Sequence, residues 1–152
     1  MKACGYIIGL SMLIPALLLS ACNLSNVVVS KNDFPDTMMR VQHELNDKGY
    51  KVIRIQALDQ GLKKAGYQIE NYRIIFFGNS LDFDIVQERY PELTVFLPLS
   101  VSVYEDNGLV YIQSMPFSMA KKATRDKEYL SMVERWRKDV DEAIGVAAYP
   151  LP

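Results

Sequence analysis

The sequence predicts an α+β domain of two layers, a mainly antiparallel sheet with helices packed on one face. Three observations point there. Leu99, Val101 and Val103 alternate with Ser100, Ser102 and Tyr104, and an Asp106-Asn107-Gly108 turn sends the chain back through Leu109–Gln113 as a hairpin partner. Tyr72–Phe77 (YRIIFF) is a strongly apolar run of strand length, expected as the central strand of the sheet. Two segments carry apolar residues at helical spacing: Phe34, Met38, Val41 and Leu45, then Tyr129, Val133, Trp136, Val140 and Ala143.

The elements follow in order. Val27-Val28-Val29 is a short first strand. Asn32-Asp33 offers an N-cap for the first helix, with Pro35 and Asp36 in its opening turn, and Gly49 stops it. Tyr50–Ala57 reads as a strand with Ile53, Ile55 and Ala57 on one face. Asp59–Ala65 reads as a short helix ended by Gly66, ahead of the Tyr72–Phe77 strand. Gly78-Asn79-Ser80 turns the chain into a helix over about Leu81 to Tyr90. Leu93–Tyr104 is expected as one long strand, bent or at an edge where Pro98 lacks a ladder donor. After the hairpin, Pro116 ends the last strand, and a helix over about Arg125 to Ile144 uses the only Trp to grip the sheet.

Composition narrows the function classes. The 152 residues carry 17 basic and 18 acidic side chains, a formal net charge of −1, so the basic face that displaces counterions from nucleic acid is not expected. Two cysteines cannot build a multi-disulfide scaffold or a four-cysteine zinc site. A single His leaves little room for His-based catalysis or His-rich metal centres. No cofactor, metal site or catalytic residue is expected.

Met1–Cys22 reads as an address rather than as part of the fold. Lys2 is followed by the uncharged stretch Gly5–Leu19, about 22 Å long as a helix at ~1.5 Å per residue. That is short of a hydrocarbon core of about 30 Å, and Pro15 interrupts it. A charged start, a short apolar run and small residues before a break describe a secretory leader. Leu19-Ser20-Ala21-Cys22 resembles the bacterial lipobox. The resemblance implies cleavage before Cys22, a diacylglyceryl group on its sulfur and acylation of the new amine. Several chains hold firmly where one is marginal, since each buried CH₂ contributes about 0.8 kcal/mol. The expected organisation is a leader over 1–21, a lipidated Cys22 with a tether over 22–26, one domain over 27–148 and a tail over 149–152. Loss of Lys2 takes the net charge to about −2, and loss of Cys4 leaves no second thiol for a disulfide. Asn23, rather than an Asp, follows the lipobox cysteine, which in a host with two membranes favours an outer-membrane anchor facing the periplasm.

Residues 58–117 resemble a bacterial and archaeal family known as domain of unknown function 302. The shared features are Gly66, the strand ending in Phe77-Gly78-Asn79, Leu97-Pro98, the Glu105–Gly108 hairpin and Pro116. The stretch from Phe34 through Gly49-Tyr50 is similar to the family's leading helix and strand. The resemblance implies a curved antiparallel sheet with helices on one side, in a TATA-binding-protein-like arrangement, and brings no biochemical role. Two positions depart from the family pattern: Ser80 stands where proline is usual, and Asp59 near where histidine is frequent.

Candidate binding residues are few. Gly78-Asn79, between a strand and a helix, leaves N–H groups that can hold an anion, although Asp82 and Asp84 already complement that helix terminus. The ordinary reading is a turn in which Asn79 bonds its own backbone. Arg73 could pair a carboxylate beside it. Asp82, Asp84 and Glu88 lack the ligand spacing of a calcium loop and read as a solvated face. His43 sits beside Glu44 on a polar helix side, and Ser100 and Ser102 have no activating partner in the sequence. Nine tyrosines are many for this length, and Tyr104 and Tyr111 flank one hairpin, where they can stack. Two functions follow as expectations. The first is a membrane-tethered envelope module that binds a protein partner through the sheet near Tyr104 and Tyr111. The second is a small-molecule binder or small enzyme around Arg73, Gly78 and Asn79.

Overall fold

The computed structural model describes residues 26–150, which leaves the leader, Cys22 and the last two residues outside the described part. Five antiparallel strands form one open sheet in the order β1-β5-β4-β3-β2, with β1 Val27–Val29, β2 Lys51–Ala57, β3 Tyr72–Gly78, β4 Leu99–Asp106 and β5 Leu109–Ser114. Helices α1 (Phe34–Asp47), α2 (Leu58–Lys64), α3 (Ser80–Arg89), α4 (Phe117–Lys122) and α5 (Lys127–Ala147) lie on one side. The α+β class with helices on one face is therefore the observed architecture.

Local chemistry starts and stops the two long helices. Asp33 Oδ1 accepts the Asp36 N–H at 2.9 Å to open α1, and Gly49, at φ +84°, donates to Asn46 to close it. Asp126 Oδ1 accepts from Glu128 and Tyr129 at 2.9 and 3.0 Å at the start of α5. The Tyr129 N–H above all, then the Tyr90 hydroxyl, holds the Asp126 carboxyl below the usual carboxylate range. The core forms where the apolar stripes of α1 and α5 meet alternate residues of the inner strands. Ile75, Phe77, Val101, Val103 and Ile112 face Val41, Leu45, Val133, Trp136 and Val140, all essentially removed from water. Tyr90, Tyr129 and Trp136 extend this contact as edge-to-face ring pairs at 5.3 and 6.0 Å.

Several expectations need correction. The stretch expected as one strand from Leu93 to Tyr104 is split: Pro91–Phe96 is a 3₁₀ helix, the Leu97–Pro98 peptide is cis, and β4 begins only at Leu99. Leu93 is buried, so its apolar character served helical packing rather than a strand. β3, expected at the centre, lies between β4 and the edge strand β2, and β4 is the central strand. In β2 the register shifts between Val52 and Arg54, and Ile53 and Ile55 are exposed. Val52 still packs on the core near α1, whereas Ile53 and Ile55, at and past the register shift on this edge strand, are left uncovered. Asp82, expected on a solvated face, is 5% exposed and accepts from Trp136 Nε1 at 2.8 Å and Arg135 at 2.6 Å. Helix α4, whose Phe117 and Ala120 are buried, is an element the sequence reasoning missed, because six residues are too few to display a helical period.

Candidate binding face

Alternation places one half of every strand against the helices and the other half on the opposite, uncovered face. Val101, Val103, Val110 and Ile112 point into the core, so Ser100, Ser102, Tyr104, Leu109, Tyr111 and Gln113 point out the other side. Strand register aligns one row across four strands: Tyr72 opposite Tyr104, Tyr104 opposite Tyr111, and Tyr111 opposite Val29. Ring centroids are 5.4 Å apart for Tyr72 and Tyr104 and 5.2 Å for Tyr104 and Tyr111. The second pair is stacked at 13°, the cross-hairpin stacking that the sequence spacing suggested. Partial burial, then the neighbouring phenols Tyr72 and Tyr111, pushes the Tyr104 hydroxyl above its ordinary range. The result is a broad sheet surface of half-exposed phenol rings bordered by hydroxyl and amide side chains. Such rings offer apolar area and a polar tip together, at a low cost in side-chain order.

The other candidates are occupied within the fold. Arg73 points to the helix side and donates through Nη1 to Asp59 Oδ1 and, at 3.0 Å, to the Tyr72 carbonyl. Asp59 is 5% exposed, with Lys63 Nζ at 3.9 Å from its second oxygen. The residue found near the family's histidine position thus fastens α2 to β3. Gly78 is buried, and a Cβ there would meet the Phe83 ring at 2.3 Å. Asn79 uses both ends of its amide: Oδ1 accepts the Leu81 N–H at 2.9 Å, and Nδ2 donates to the Gly49 carbonyl at 3.2 Å. Phe77, Gly78 and Asn79 each have a structural task, as core, clearance and cap. His43 is exposed beside Glu44 and Asp47. A depression of about 290 Å³ is lined by Gln68, Ile69, Glu70, Glu105, Asp106 and Asn107, with none of the predicted site residues in its wall. Among the described residues no group of three or more His, Cys, Asp or Glu is placed to hold a metal ion.

Sequence reasoning missed two features. Tyr72 is the third ring of the row, and only register, which a sequence does not display, aligns it with Tyr104 and Tyr111. Val27 and Val29, 48% and 39% exposed, extend the same face at the edge strand. A three-residue apolar strand has no period from which to separate outward from inward positions.

The profile of a family described as "Domain of unknown function DUF302" matches residues 26–146. Among solved structures, the crystal structure of uncharacterized conserved protein DUF302 from Bacillus stearothermophilus is similar, with a TM-score of 0.73 and 17% identity. The match covers 82% of this chain and 98% of that one, and it speaks to the fold. Comparison with curated proteins returns no match.

Proposed function

The chain belongs to the DUF302 family, and for this member we propose a non-catalytic binding module that a lipid on Cys22 tethers to the outside of a bacterial membrane. The observation that carries the binding role is the uncovered sheet face with its row Tyr72, Tyr104 and Tyr111. The polar groups of the alternative site are engaged in holding the fold: Arg73 with Asp59, and Asn79 with Leu81 and Gly49. The tether is supported by the sequence alone, through the short apolar leader and Leu19-Ser20-Ala21-Cys22. In a host with two membranes the Asn23 rule favours the outer one. No helix of the described residues is long and apolar enough to cross a membrane.

Two measurements test this reading. Cys22→Ser is expected to leave an unprocessed precursor or to release the protein from membranes; unchanged processing and attachment overturn the tether. A photo-crosslinking amino acid at Tyr104 or Tyr111, in intact cells, is expected to capture an envelope component, whereas the same group at Lys138 on the helix layer captures none. Absence of adducts at both sheet positions, in correctly processed protein, overturns the binding role.

A further inference from the structure

Where the chain enters the sheet restricts what the open face can touch. Asn26 is pinned at the edge of the sheet: its backbone N–H donates to Ser114 Oγ at 3.2 Å and its side-chain amide to Asp141 at 3.0 Å. Cys22 lies four residues upstream, and four residues reach at most about 14 Å. β1 follows immediately and is an edge strand. Its Val27 and Val29 side chains project from the open face, and Leu109, 49% exposed, projects from the neighbouring β5. Tyr111 and Tyr104 lie beside them. Aliphatic tips gain by leaving water, and phenol rings settle at the level of lipid headgroups. The charged side chains of this face are Lys51 and Arg54 on β2 and Asp106, directly opposite Leu109 at the hairpin, so the part around Val27, Val29 and Tyr111 can meet lipid without stripping water from an ion, while the hairpin end stays at the hydrated surface. The opposite layer carries ion pairs exposed to water, among them Arg89 with Glu128, Lys121 with Glu134 and Arg137 with Asp141.

We propose that the open face binds the headgroup and outer acyl region of the same membrane that holds the anchor, with Val27 and Val29 immersed, Leu109 and the tyrosine row at headgroup level and the helix layer turned to water. The proposal rests on the tethered-module reading and names the partner of its face. A bilayer fits an open sheet face whose charges stand at its borders, because it asks for no shape-matched pocket and is already within reach of the tether.

The test uses the processed, full-length protein in vesicles of phosphatidylethanolamine and phosphatidylglycerol with brominated acyl chains. A fluorophore is placed on a single new thiol in Val29→Cys, Leu109→Cys or Met39→Cys, the last on the exposed side of α1 (62%). All three sites are surface positions, and the emission of the buried Trp136 reports that each variant is folded. Quenching at positions 29 and 109 is expected to exceed that at 39 several-fold. Equal quenching at the three sites, or none, with acyl chains present on the Cys22 peptide by mass spectrometry, overturns the bilayer assignment and leaves the tether standing. An unmodified Cys22 removes both. A cross-linker at Tyr104 that captures a protein rather than lipid also overturns the bilayer assignment while upholding the binding module.

Discussion

At the residue scale, the buried Asp82 illustrates how an acidic side chain is made tolerable in a core. Its carboxylate receives the indole N–H of Trp136 and the guanidinium of Arg135, so both oxygens are used. Asp82→Ala leaves the indole N–H without an acceptor and is expected to cost about 2–3 kcal/mol, read by urea unfolding. Asp82→Asn keeps an oxygen for Trp136 and is expected to lose less. Tyr129 is the converse case. Its hydroxyl is buried with no hydrogen-bond partner, and burial pushes its pKa up to about 12. Tyr129→Phe removes an unpaired polar atom from the same packing and is expected to be neutral or stabilising by about 0.5–1 kcal/mol. It also alters the alkaline limb. An unfolded tyrosine ionises near 10.0, well before the folded one, so the native state loses stability as pH rises from there towards about 12. The phenylalanine variant is expected to show a shallower loss over that window in urea titrations. The limb persists in part, because Tyr50 and Tyr104 are raised as well.

At the element scale, the junction of β3 and α3 explains its own sequence. Phe77 fills the core beneath Tyr50 at 5.5 Å, edge to face. Gly78 lets the Phe83 ring fold back over the strand end, and Asn79 caps the helix while reaching the loop after α1. Gly78→Ala is expected to destabilise by about 1–3 kcal/mol through the clash with Phe83, with most of that loss absent in a Phe83→Ala background. A full loss in both backgrounds would place the strain in the backbone instead. The hairpin between β4 and β5 was legible from Asp106-Asn107-Gly108, since residues that accept positive φ are rare and Asn107 (φ +52°) and Gly108 (φ +75°) adopt it. The start of β4 was not. An apolar stretch with Leu93 and Phe96 reads equally as a strand or as one buried side of a 3₁₀ turn, and only packing separates the two.

At the scale of the whole molecule, a sheet with helices on one side has two unlike faces. The helix side binds the core, and its outer surface carries exposed ion pairs, each of small energetic weight. The bare side carries aromatic and aliphatic groups, with Lys51, Arg54 and Asp106 at its borders, and β1, where the described chain begins, is one of its edges. In the proposed reading, this asymmetry is what sets the tether beside the binding face. Alternation, helical spacing, caps and turn residues are local properties, and for that reason the sequence by itself determined the α+β class, most element positions, the alternation of β4 and the Tyr104–Tyr111 pair. Strand order, register and the pairing of Arg73 with Asp59 and of Asp82 with Trp136 depend on contacts between residues far apart in the chain. Only the tertiary structure decided them, and with them which tyrosines form one row and which polar groups are left over for a ligand.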